Sequence, residues 1–122
     1  MRRQVLSRMW SATINSRNGL IFAFRSEQAF REEVVALIFA VPLALVIGVT
    51  PERKTQLIGV MLLLLVVELL NTAIEKLADR LTMEQDQHIG RVKDMGSAAV
   101  GVTLLIVGAA WLLAISERIG LV

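Results

Sequence analysis

Three stretches without a single charge decide most of what this chain can fold into. Met95–Ser116 reads MGSAAVGVTLLIVGAAWLLAIS and is long enough alone to cross about 30 Å of hydrocarbon. Val34–Pro51 reads VVALIFAVPLALVIGVTP. Thr55–Val67 is the third stretch, and its apolar character continues past Glu68 through LLNTAI. The spacing of these runs, with short polar breaks between them, predicts an all-α membrane protein. Transmembrane helices are expected at about 34–50, 55–77 and 94–117, after a surface helix region over 1–32. At 122 residues the chain suits one integral-membrane domain. Its 55% hydrophobic content and mean hydropathy of +0.63 are too apolar for an ordinary soluble protein of this size.

The basic residues are distributed unevenly. Ten lie before the first span or between spans two and three: Arg2, Arg3, Arg8, Arg17, Arg25, Arg31, Lys76, Arg80, Arg91 and Lys93. Only Arg53, Lys54 and Arg118 fall on the other side. The positive-inside rule then puts the N-terminus and the second loop in the cytoplasm and the C-terminus in the periplasm. Topology accounts for these charges, and no soluble basic face remains to bind nucleic acid. There is no cysteine, which excludes disulfides. Arg8, Asn15, Arg17 and Asn18 interrupt the apolar core that a signal peptide would need.

Residues 1–31 are amphipathic. Leu6, Met9, Trp10 and Ile14 recur at helical spacing among arginines, the pattern of a helix lying in the membrane interface. NSRNG, Asn15–Gly19, predicts a break or bend in it. GVTPERKTQ reads as a tight outer turn and DRLTMEQDQHIGRVKD as the cytoplasmic loop. The third span is expected to start near Asp94, a suitable helix-start carboxylate. Gly101 and Gly108, seven apart on that span, predict a close helix approach.

Glu68 is the residue these spans do not explain. A charge at a bilayer centre costs roughly 2.5–3.5 kcal/mol on insertion scales, so it marks a functional site by default. On a helical wheel Asn71, Thr72, Glu75 and Asp79 fall on the same stripe as Glu68. Glu75 lies about 10 Å further along the axis, nearer the cytosol. One carboxylate is therefore placed for water-borne ions, the other for a lipid hydroxyl. Glu27, Glu32 and Glu33 end the surface helix, and GRVKD brings Arg91, Lys93 and Asp94 to the start of span three. Carboxylates beside lysine and arginine suit a Mg²⁺–phosphate complex. No Walker loop or GxGxxG is present, so any ATP site must be built from helix ends. Three helices enclose little, which predicts an oligomer with shared sites.

EQAFREE, VELLNTAIEKLADR and GRVKDMGSAAV, in that order, closely resemble the small prokaryotic diacylglycerol kinases over nearly the whole chain. The resemblance implies a homotrimer with a surface helix and three spans per chain. It also implies ATP- and Mg²⁺-dependent phosphorylation of diacylglycerol to phosphatidic acid at the bacterial inner membrane. By it Glu68 is the catalytic base and Asn71 orients it, while Glu27 and Glu75 hold the metal on ATP. Arg8, Asn15, Glu84, Asp86, Lys93 and Asp94 join Glu27 and Glu75 around ATP. Arg8, Ala29, Arg31, Glu33 and Ser97 line the lipid side with Glu68. The first helix departs from the enterobacterial pattern: Ile21 stands for an arginine and Ser11 for a lysine.

Simpler readings compete. Glu27 with Arg31 is a plain i,i+4 pair on the residues alone. Lys93 satisfies topology, Trp10 and Trp111 are interfacial anchors, and His88 is a loop residue. Undecaprenol is the rival acceptor, and the pattern of catalytic residues does not separate it from diacylglycerol. A small multidrug transporter also carries one membrane glutamate, but it would need four spans.

Overall fold

A computed structural model describes all 122 residues, folded into four helices and no strand. The helices are α1 Arg2–Ser26, α2 Gln28–Ile47, α3 Pro51–Leu81 and α4 Gln87–Arg118. The helical class read from the sequence therefore holds, while several boundaries move.

No break occurs at Asn15–Gly19. The helix runs straight through, because the segment has no proline to remove a ladder bond, and one glycine and two asparagines cost a helix only about 1 kcal/mol or less apiece. The break falls at Glu27, which is extended at φ −119°, ψ 113° and serves as both the end of α1 and the start of α2. Glu32 and Glu33 consequently belong to the first turns of α2 and do not end the surface helix. Arg31 fixes the joint by donating from one guanidinium nitrogen to the carbonyls of Phe24 (2.9 Å) and Arg25 (3.0 Å).

The other two connections are shorter than expected. Thr50 caps α3 by accepting from the Arg53 N–H at 3.1 Å, and Pro51 fits the first turn, whose N–H groups lack helical partners. Asp86, not Asp94, caps α4: its carboxylate accepts from the His88 and Ile89 N–H groups. The expected sixteen-residue loop contracts to residues 82–86, with α3 and α4 extended into the rest.

Helix α3 is the hub. It packs along α4 and against α2, while α1 rests mainly on α2. Its buried residues Leu57, Met61, Leu64, Glu68, Asn71, Thr72 and Ala78 form one seam. The N-terminal half of that seam is apolar and joins a cluster of Ala44, Leu57, Ala110 and Ala114, with Trp111 packed against it. Alanines bring the backbones close where the helices cross. Arg53 and Glu117 pair at 2.6 Å and tie the start of α3 to the end of α4. Gly101 and Gly108 do not serve the expected close approach within the chain, for a Cβ on either would meet open space. Gly96 does serve it, for a Cβ there would run into the Asn71 side chain.

Only 16 of the 122 residues are buried, and large apolar side chains such as Leu105, Leu112, Phe39 and Leu70 stand outward. Contiguous apolar surface on this scale does not suit water. Helices α3 and α4 are long and apolar enough to cross a membrane. In α2 the uncharged stretch within the helix covers residues 34–47, about 21 Å at 1.5 Å per residue, short of the roughly 30 Å core.

Candidate active site

The C-terminal half of the α3 seam carries the polar groups. Glu68, Asn71 and Thr72 are buried, with Glu68 only 8% exposed. The stripe read from the helical wheel is thus the face that α3 turns toward the rest of the chain. The Asn71 amide donates to a Glu75 carboxylate oxygen at 3.3 Å, linking the deep and shallow parts of the stripe.

The remaining carboxylates arrive from the α1–α2 joint. Glu27 and Glu75 both lie near enough to act on the charge of Glu68, and Glu68 in turn acts on Glu33. Glu33, just before the uncharged run of α2, has its pKa pushed up to about 7. Burial is the main cause, followed by the negative charges of Glu68 and Glu32. One Glu33 carboxylate oxygen is buried without a partner. No three acidic or histidine side chains converge tightly enough to cage a metal by themselves. One or two carboxylates open to a phosphate chain still match the donor set that Mg²⁺ takes, hard oxygens completed by substrate and water.

Two cations face this cluster. Lys76 pairs with Glu27 at 2.9 Å, and Lys93 of α4 pairs with Asp79 of α3. Lys93 also lines a cavity of about 540 Å³ with Glu84, Asp86 and Gly90. Three residues expected around a nucleotide therefore meet at one hollow beside the α3–α4 connection. A second, more apolar groove of about 500 Å³ runs between α1 and α3, lined by Ser16, Leu20, Phe22, Thr72, Ala73 and Lys76 among others.

Arg8 and Asn15 are not gathered here. Arg8 lies nineteen residues before Glu27 on α1, about 28 Å along the helix, in a shallow hollow with Arg3, Gln4 and Ser7. Asn15 is about 18 Å from Glu27 on the same measure. Ala29, Asp94 and Ser97 are exposed, and Arg31 is engaged with the end of α1. Sequence reasoning missed the Lys76–Glu27 pair, the Asp79 partner of Lys93, and Gly96. Asp79 sits four residues beyond Glu75 on the stripe, which was a signal. Lys76 is off the stripe and gave none.

These features define a small all-helical protein with a buried carboxylate seam opening toward lysines at one end of the bundle. Residues 14–115 match the family described as prokaryotic diacylglycerol kinase. The chain is 41% identical over 106 residues to the diacylglycerol kinase of Pseudomonas aeruginosa, covering 87% of this chain and 86% of that one. It is 39% identical to that of Haemophilus influenzae, covering 87% and 90%, and 37% identical to that of Escherichia coli K12, covering 93% of each. The chain belongs to the prokaryotic diacylglycerol kinase family, and it is an enzyme of the kinase class.

Proposed function

We propose that the chain transfers the γ-phosphoryl group of ATP, with Mg²⁺, to the hydroxyl of diacylglycerol to give phosphatidic acid. The observation that carries this reading is the position of Glu68, a buried carboxylate one turn from Asn71 on a seam that opens toward Glu75. The names of the relatives support the acceptor.

In this reading a Glu68 oxygen faces the acceptor hydroxyl. As the hydroxyl oxygen bonds to the γ-phosphorus, the bond from phosphorus to the oxygen leaving with ADP breaks. The hydroxyl proton goes to Glu68, acting as a kinase aspartate does. Asn71, one turn from Glu68, orients this region while its amide donates to Glu75. Glu75 and Glu27 are the carboxylates for the cation, which when bound offsets charge on the phosphates. Lys93, with Glu84, Asp86 and Asp94, borders the nucleotide, and Lys93 supplies positive charge to the transferring group. Ala29, Arg31, Glu33 and Ser97 form the lipid side. Arg8 and Asn15 would contribute only from a neighbouring copy, which fits a homotrimer with shared sites.

The same reading sets the chain in the bacterial inner membrane as one domain, with α1 at the cytoplasmic surface and α2, α3 and α4 crossing. Crossing by α2 requires the Gly48–Thr50 turn to sit in the far interface, because the helix alone is short. The test is purified protein in bilayers with ATP and Mg²⁺, offered diacylglycerol and undecaprenol separately. Phosphatidic acid is the expected product. Phosphorylation of undecaprenol alone would change the acceptor, and transfer to neither would remove the function.

A further inference from the structure

The contact between Lys76 and Glu27 is not needed by the reaction just described. Glu27 sits in the one-residue joint between α1 and α2, and its carboxylate meets the Lys76 ammonium at 2.9 Å. Lys76 is the only cation ion-paired with any of Glu27, Glu68 or Glu75, since the other two pairs are Arg53–Glu117 and Lys93–Asp79. The same ammonium lies 5.1 Å from the centroid of the Phe22 ring, within cation–π range. Its stem lines the groove with Leu20, Ala23 and Leu69. The ammonium therefore has two favourable neighbours, a carboxylate and an aromatic face.

We propose that Lys76 is a positioning residue that occupies the Glu27 carboxylate until a divalent cation takes it. This rests on the reading of Glu27 as a metal ligand. Three like charges gathered without a cation repel one another, and a lysine at Glu27 lowers that cost. A divalent ion and the ammonium then compete for the same oxygens. When the ion arrives, Lys76 keeps the Phe22 ring as its remaining contact and is not stranded. Lys76 consequently sets how much divalent cation the site requires. It also links the joint to α3, so occupation of Glu27 by the ion loosens that link.

The test is direct binding of Mn²⁺, without nucleotide, followed by electron paramagnetic resonance on the full-length protein in bilayers. Lys76→Met keeps the stem and removes the charge. It should bind Mn²⁺ about two- to fivefold more tightly, the range that loss of a half-exposed ion-pair competitor supports. Glu27→Gln should bind more weakly, and adding Lys76→Met to it should bring no further gain. Lys76→Arg, which retains charge and ring contact, should stay within about twofold of wild type. Unchanged or weaker binding in Lys76→Met, with Glu27→Gln still weakened, overturns the role of Lys76 and leaves Glu27 as a ligand. A gain that persists in the Glu27→Gln background also overturns it, because the effect would then be bulk charge. Unchanged binding in Glu27→Gln removes the metal reading of Glu27 and the proposal with it.

Discussion

Gly96 lies against Asn71 so closely that a Cβ at position 96 would overlap the Asn71 amide oxygen. That oxygen is buried and accepts no hydrogen bond within the chain, while the amide nitrogen donates to Glu75. The approach of α4 to α3 at this level therefore presses on the residue that hydrogen-bonds Glu75, one turn from Glu68. Gly96→Ala should push Asn71 off Glu75. Overpacking of this kind typically costs about 1–3 kcal/mol. Thermal unfolding and turnover should fall together, turnover by at least about tenfold if Asn71 orients a group that chemistry uses. Gly59→Ala, where a Cβ meets open space, should leave both near wild type. A Gly96→Ala protein with wild-type turnover would mean that α4 shifts to absorb the methyl.

Glu68→Gln keeps size and hydrogen-bonding capacity but cannot accept a proton. It should assemble and bind ATP almost normally, while kcat falls on the order of 10²–10⁴-fold. Measured kcat, both KM values and the oligomeric state decide it. An intact assembly retaining more than about a tenth of wild-type kcat would leave Glu68 as a structural group.

Lys93 and Asp79 are both substantially exposed, so their pairing contributes little stability, about 0.2–1 kcal/mol at most. Lys93→Ala should hence barely move the unfolding temperature yet lower turnover on the order of 10²–10³-fold through loss of charge at the phosphates. Asp79→Asn should leave the unfolding temperature equally unmoved and keep turnover within a few-fold of wild type, on the same exposed-pair scale. Equal activity in Lys93→Ala and wild type, in correctly inserted protein, would reduce Lys93 to a topology signal.

Glu33 gives a pH signature. Its pKa stands at about 7 in the fold against an ordinary 4.5, so its charged form is the disfavoured one. The native state is free of this cost below pH 4.5 and loses stability as pH rises from 4.5 to about 7. Glu33→Gln removes the titration. The gap in unfolding temperature between variant and wild type should widen in the variant's favour across that window and level off above it. A gap independent of pH would show that Glu33 does not titrate there.

Much of this site could be read from residue spacing, because the groups that matter share one helix face. Glu68, Asn71, Thr72 and Glu75 fall on a single stripe by the 3.6-residue period alone, and the fold buries the first three and leaves Glu75 half-buried. What the sequence concealed depends on distance between helices. Nothing in the order of residues says that Lys76, off the stripe, reaches Glu27 across a joint forty-nine positions earlier. Nor does it separate Gly96, which is crowded, from Gly101 and Gly108, which are not. The misplaced break in α1 has a local cause. Asparagine and glycine cost a helix little, whereas Glu27 is set extended by the Arg31 contacts to the carbonyls of Phe24 and Arg25, which local propensity does not register.

The joint at Glu27 has a mechanical consequence. Only one residue separates α1 from α2, so the angle between them is set by the two torsions of Glu27, the strap from Arg31 and the contact of Phe22 with Lys76 of α3. Helix α1 is 25 residues long, a lever of about 37 Å. A ten-degree swing would carry its far end roughly 6 Å, by the same helical rise. The Glu27 carboxylate, being at the fulcrum, would hardly move. A tilt of the arm is thus felt at its far end, while the residue at its pivot keeps station beside α3.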